Sequence, residues 1–400
     1  MSIQWKKSGY DIDSLLERIH RLRHTFDVNL YLPVFLTALS WPKDIPEAER
    51  FQIIKKSILP ALEGDCAPEQ RKVLQALEDN SRVYLKTRPV EYVFATTVSI
   101  SSRLRVSPRK HLGCNLRFSK TMPKAFKSEW VDQKAELHSI KAHPAKFKAV
   151  RVSLLTRSAE EAWRRGSDAV DLLRGIWNFG VGRRRFQVTL MGEYGPFNRV
   201  MLGPQATLHW PDGRLADEKL QPFPFVAKSP VTDPSEWQAM LLVEQQINRA
   251  LRKISYRHLI ENAFIRYCRA MDDSDLEASL LQLWSILEQL AASGGDRYDI
   301  LIRRVSALWD NPEPYRSVLQ HLREIRNSYV HAGHSSEEIE ALVGQLKFFV
   351  EELIGFHLAQ GHQFSKFEEA SQFLDYSSRP EVLERQIDLR RLALRYRTKK

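Results

Sequence analysis

The chain has 400 residues, 43% hydrophobic and 27% charged, with 60 Lys and Arg against 49 Asp and Glu and a formal net charge of +11. That length leaves room for two domains, each with a core of its own, and the composition excludes an intrinsically disordered chain. The positive balance favours polyanionic partners, nucleic acid above all, and no run reaches the ~20 apolar residues that a membrane-spanning helix needs.

Residues 10 to 80 place apolar side chains at helical spacing, as in DIDSLLERIHRLRH and ERFQIIKKSILPALEG, and predict helices with irregular joints. VEYVFATTVSI and FKAVRVSLLT are rich in β-branched and aromatic residues and predict strands. The basic stretch between them, RLRVSPRKHLGCNLRFSKTMPKAFK, holds Pro, Gly and Ser and reads as strand and loop. TRSAEEAWRRGSDAVDLLRGIWNFG predicts a helix opened by a capping box of Ser158 and Glu161 and stopped at Gly180. Its apolar side is Ala162, Ala169, Leu172, Leu173 and Ile176. RRFQVTLMG and RVMLGPQATLHW return to strand character, so residues 1–220 are expected to form an α+β domain.

Residues 221–236 are expected to be a Pro-rich linker, because the four prolines of KLQPFPFVAKSPVTDPSEW cannot sit inside a regular helix or central strand. From Trp237 onward the pattern is helical. A long first segment contains a break. The next opens on Ser274 and Glu277 as a second capping box and sets Leu276, Leu280, Trp284, Leu287 and Leu290 along one side. A third box, Ser335 with Glu338, precedes SSEEIEALVGQLKFFVEELIGFHLAQG. Residues 237–365 are expected to be an all-α antiparallel bundle, and residues 366–400 a basic helical tail.

Cys66, Cys114 and Cys268 are sparse and offer no CxxC spacing, which disfavours structural zinc and fits a reducing cytoplasm. The N-terminal MSIQWKKSGYDID has no apolar core of signal-peptide length, so a cytoplasmic location is expected. His331, His334, His357 and His362 have no carboxylate pair at ligand spacing, and neither a metal nor a cofactor is expected.

The helix that ends in LREIRNSYVHAG carries the densest chemistry. Val318, Leu322, Ile325 and Tyr329 form one apolar stripe, which should face the core, while Arg323, Asn327 and His331 form an adjacent polar one. Arg326 sits beside Asn327, about 140° round the helix from His331. Histidine can act as base or acid near neutrality. Arginine keeps its charge and offers a planar fork to phosphate oxygens, and asparagine can orient the histidine or donate to the phosphate. Such a set suits RNA cleavage by the 2′-hydroxyl; plain surface polar residues with no chemical role are the competing reading. A carboxylate to hold the arginine or tune the histidine is available in Glu288. Arg103, Arg105, Arg109, Lys110, Arg117, Lys120, Lys124 and Lys127, interleaved with Phe118, Phe126 and Trp130, suit single-stranded RNA. A solvated strand face with its aromatics in the core is the alternative. Arg183, Arg184 and Arg185 in GVGRRRF could touch phosphate, although the stretch lacks the ending of a P-loop.

LREIRNSYVHAG, preceded by LLQLWSILEQL, resembles the HEPN superfamily of helical ribonuclease domains, most closely its ApeA-like branch, over residues 237–365. The resemblance implies a homodimer or higher even oligomer with a composite site. It also implies metal-independent endoribonuclease activity and a role in abortive, anti-phage or toxin-like responses, with a phage-derived or protein trigger. Carried over by residue, Arg326 and His331 are the catalytic pair, with Asn327 between them and Glu288 as an accompanying carboxylate. Some members have a tyrosine two residues after the histidine, where this chain has Gly333. The N-terminal domain would then sense the trigger or recruit substrate. Two alternatives stay open: a non-catalytic dimerisation or RNA-binding module, and a DNA-binding regulator that uses the basic N-terminal domain.

Overall fold

The computed structural model describes residues 3–5, 11–22, 32–42, 44–63, 66–126, 147–182, 197–222, 231–291, 298–332, 338–377 and 379–398. The N-terminal region is mixed α/β and the C-terminal part mostly helical, the coarse division that the two kinds of periodicity predict. Among the described residues no helix is long and apolar enough to cross a membrane.

Helices α1 (Ile12–Leu22), α2 (Leu32–Ala38), α3 (Glu47–Leu62) and α4 (Gln70–Lys86) pack around Leu16, Phe35, Ile54, Ile58 and Leu77, with the two-residue strands β1 (Gln4–Trp5) and β2 (Leu39–Ser40) paired at one side. An antiparallel sheet follows: β3 (Val90–Ser101), β4 (Arg109–His111), β5 (Cys114–Ser119), β6 (Phe147–Thr156), β7 (Leu202–His209) and β8 (Leu215–Pro222), in the order β4-β5-β6-β3-β7-β8. Strands β3 and β6 coincide with the two β-branched runs. The β3–β7 register shifts between Thr96 and Val98, opposite Gly203 and Pro204, because proline cannot donate to the ladder.

Helix α5 (Ala159–Gly182) lies across one face of this sheet. Ser158 caps it as expected, its Oγ accepting the Glu161 N–H at 3.1 Å. The helix does not stop at Gly180. It runs to Gly182, and Gly180 is a packing position whose added Cβ would stand 3.0 Å from Val243. Ala162, Trp163, Ala169, Val170, Leu173 and Trp177 belong to the core against the sheet, whereas Leu172, Ile176 and Phe179, roughly a third of a turn away, belong to the core of the C-terminal helices. One helix thus serves both cores. Gly166 lets it approach the Phe94 side chain and Gly175 the Phe264 carbonyl, where an added Cβ would fall 2.6 Å from Phe94 Cβ and 2.5 Å from the Phe264 oxygen. Gly175→Ala is expected to destabilise by ~1–3 kcal/mol through overpacking, despite alanine's better helix propensity. Urea denaturation checks this, and a gain in stability would contradict it.

The C-terminal helices are α6 (Pro234–Leu251), α7 (Arg257–Asp272), α8 (Leu276–Ala291), α9 (Tyr298–Ser306), α10 (Glu313–Ala332), α11 (Ile339–Gln360), α12 (Phe367–Leu374) and α13 (Pro380–Thr398). The expected break falls between α6 and α7. Within the proline-rich segment β8 ends at Pro222, Val231 bridges Ile100, and Asp233 caps α6 by accepting the Ser235 N–H. Helix α8 begins one residue later than the sequence suggests: Asp275, not Ser274, accepts the N–H groups of Glu277 and Ala278, each at 3.0 Å. Ser335 lies outside the described residues, and α11 starts at Ile339 after Glu338, which makes no side-chain cap. Trp284, Leu283, Leu287, Leu319, Leu322, Phe349 and Val350 build the shared core. Helix α13 buries no residue.

That core encloses His357, fully buried on α11. Its Nε2 donates to the Leu290 carbonyl at 3.0 Å, and its Nδ1 accepts from the Tyr256 hydroxyl at 3.1 Å. Burial, opposed only in part by the Leu290 carbonyl, holds its pKa down at about 4. The unfolded chain therefore takes up a proton near pH 6.5 that the folded chain refuses until about pH 4. Stability is complete above the unfolded value and is lost as pH falls through this window, by roughly 3 kcal/mol from this residue. Unfolding free energies measured between pH 7 and 4 should fall more steeply for the wild type than for His357→Gln; equal slopes would remove the assignment.

Candidate functional site

Helix α10 carries the LREIRNSYVHAG motif through Ala332 without interruption. Leu319 and Leu322 are buried, and Tyr315, Val318, Ile325 and Tyr329 are half-buried against the same core. The apolar stripe expected from the sequence is therefore the packed face, with Leu319 an added member. On the neighbouring face a groove of about 420 Å³ lies among Gln320, Arg323, Glu324 and Asn327. These positions follow the i, i+3, i+4, i+7 rule of a single helix face, and the backbone of His331, four residues past Asn327, is the next step along it. The His331 side chain lies outside the described residues.

Arg326 starts about 100° round the helix from Asn327, yet its guanidinium leans back to the groove side and donates from Nη1 to Asn327 Oδ1 at 3.2 Å. That bond holds a cation against the polar stripe. Arg323 is tied to Asp299 of α9 at 2.8 Å. Glu288, on α8, accepts from Trp284 Nε1 at 2.9 Å; burial lowers the pKa of Arg266 on α7, and the Glu288 charge opposes this only in part. Arg266 also donates to Gln289 and Ser285. Glu288 therefore belongs to the α7–α8 seam, and its described partners do not include the motif.

The basic candidates of the N-terminal region divide. Arg103 and Arg105 are exposed on the loop after β3, where the Arg105 carbonyl accepts from Trp237 Nε1 at 3.3 Å. Arg109 places its fork on Glu244 of α6, at 2.5 Å and 3.2 Å, and Trp177 Nε1 donates to the same carboxylate. Its charge is thus already matched within the fold. Lys110 is exposed on β4. Arg183, Arg184, Arg185, Lys127 and Trp130 lie outside the described residues. Phe118 and Phe126 turn into cores rather than outward: Phe118 packs towards Trp177, and Phe126 lies with Val93, Ala95 and Ala149 beneath the other face of the sheet.

A buried charge network, which no local sequence signal marks, joins the sheet helix to the C-terminal helices. Arg174 of α5 is fully buried and donates to Asp171 at 2.6 Å and to Asp272 of α7 at 2.7 Å and 3.1 Å. Arg269 reaches back to Asp171 and Asp168, both at 2.8 Å, and Asn198 donates to Asp272 at 2.7 Å. A cleft of about 460 Å³ opens beside these groups. Cys268, beneath it, is fully buried, and burial pushes its thiol well above the usual range, so it is an inert thiol there. Among the described residues no three His, Cys, Asp or Glu side chains are arranged to hold a metal ion.

No family model, curated protein or solved structure matches this chain.

Proposed function

We propose that the chain is a metal-independent endoribonuclease of the HEPN type, assembled as a dimer or higher even oligomer and used in an anti-phage, abortive or toxin-like response. The observation that supports this best is the Arg326–Asn327 bond, which brings a guanidinium onto the same helix face as the groove and the His331 backbone position. In this reading Arg326 takes the non-bridging oxygens of the scissile phosphate in its fork and stabilises the charge that develops on them. His331 removes the proton from the 2′-hydroxyl or returns one to the 5′-oxygen, the two roles falling to imidazoles of different subunits. Asn327 orients Arg326 through its carbonyl oxygen. Glu288, bound to Trp284 and close to Arg266, supports the helices and takes no chemical step. The mixed α/β region receives the phage-derived or protein trigger.

The test is incubation of the full-length protein with single-stranded RNA in EDTA. The expected products end in a 2′,3′-cyclic phosphate, because the attacking oxygen belongs to the RNA. RNA left intact, with and without lysate from infected cells as a source of trigger, would overturn the reading.

A further inference from the structure

The face of the sheet turned away from α5 has an unusual corner. Leu116 and Phe118 of β5, and Val150, Val152 and Leu154 of β6, pack on the α5 side. Their alternate neighbours Asn115, Arg117, Arg151 and Ser153 therefore point the other way. The register sets Asn115 opposite Ser153 and Arg117 opposite Arg151, while Lys110 of β4 stands opposite Asn115. Partners directly opposite are about 5 Å apart, and successive rows on one face about 7 Å. Three cations and two small polar side chains thus occupy an area the size of one or two phosphate groups.

Among the described residues none of Lys110, Arg117 and Arg151 makes an ion pair, and the buried Nε of Arg151 has no hydrogen-bond partner. On the positions of β3 to β6 that share this face the carboxylate is Glu91, which pairs with Leu155 and so sits two rows from Arg151. The Arg151 guanidinium lies over the Phe126 ring, 5.6 Å from its centroid, which fixes its orientation. Burial and the adjacent Arg117 both act against its charge. Two arginines directly opposite on neighbouring strands destabilise each other unless something negative sits between them. Arg109, one residue from Lys110, shows the contrast: it points to the other side and is fully matched by Glu244.

We infer that this corner binds a phosphate-bearing ligand, with Arg117 and Arg151 as the forks, Lys110 as a third cation, and Asn115 and Ser153 as hydrogen-bonding groups. The phosphate belongs either to an RNA backbone or to a small phosphorylated molecule. The inference stands independently of cleavage at α10, since it concerns binding alone.

The experiment uses full-length protein. Calorimetric titration with sodium pyrophosphate probes the site, and anisotropy of a labelled 2′-O-methyl RNA, which has no free 2′-hydroxyl to attack with, probes the polymer. Arg117→Gln and Arg151→Gln are each expected to weaken pyrophosphate binding at least tenfold. Arg88→Gln, an exposed arginine just before β3, should leave it unchanged. Free Arg117→Gln should melt no lower than the wild type at low salt, since a like charge has been removed, which shows that lost binding is not lost folding. Displacement of bound pyrophosphate by the RNA assigns the phosphate to a nucleic acid; binding of pyrophosphate that the RNA does not displace assigns it to a small molecule. A wild type that binds neither probe, or glutamine variants that bind both as tightly as the wild type, would overturn the inference.

Discussion

Arg174→Ala is expected to destabilise the protein by about 3–5 kcal/mol, enough to remove much of the stability of an ordinary domain. The reason is what stays behind. Arg174 is fully buried and is the cation shared by Asp171 and Asp272, at 2.6 Å and 2.7 Å. Without it Asp272 keeps, among the described residues, the neutral donor Asn198, and the Val200 carbonyl loses the N–H that Arg174 supplied at 3.3 Å. Asp171 keeps Arg269, which is more exposed and a weaker substitute. Removing one member of a buried pair leaves an uncompensated charge, whereas removing both is far milder. Arg174→Met combined with Asp272→Leu should therefore recover a large part of the loss. Urea unfolding of the wild type, the single and the double variant at neutral pH decides the matter. A single variant within 1 kcal/mol of the wild type would show that the network contributes little.

The second large effect concerns RNA. His331→Ala and Arg326→Ala are each expected to reduce metal-free cleavage by roughly 10²–10⁴-fold, the range for loss of a proton-transfer group or a charge-stabilising donor. Arg326→Lys should recover little, because a lysine keeps the charge but cannot offer two parallel N–H groups to a phosphate while reaching Asn327. Folding is not at stake: Arg326 is half-buried at the side of α10, and the core stripe of that helix is carried by Leu319, Leu322 and Ile325. Unchanged melting temperatures with lost cleavage would locate the effect in chemistry. Mixing the two inactive variants adds a further check. If each site takes its arginine from one subunit and its histidine from the other, mixed dimers regain one complete site and part of the activity. Full activity in both single variants would end the proposal.

The sequence made local features legible and long-range ones opaque. The β-branched runs at 90–100 and 147–156 became β3 and β6 because both strands are central and need side chains that suit a pleated, enclosed surface. Ser158 was readable as a cap since its partner N–H is three residues away. Gly180 misled because a glycine close to the end of an apolar run looks like a stop, whereas its missing Cβ here makes room for Val243. Ser274 misled because Asp275, equally able to cap, stands next to it. In the candidate site, the polar stripe on α10 followed from helical spacing alone, but the lean of Arg326 towards Asn327 did not. Arg109 looked like a free cation for want of any signal linking it to Glu244, which lies 135 residues away. The Arg117–Arg151 juxtaposition was equally hidden, since it depends on the register between β5 and β6 across a long intervening segment.

Helix α5 sets a practical boundary on how this chain can be divided. A truncation that stops in the proline-rich stretch before α6 keeps the whole of α5 but strips Leu172, Ile176 and Phe179 of their cover, and with them Trp177 of its Trp237 neighbour. The fragment would present a greasy ribbon and half of a severed charge cluster to water, and should be recovered as aggregate. Trimming from the other end, at α13, which buries no residue, removes no cover from either core and should leave a well-behaved protein.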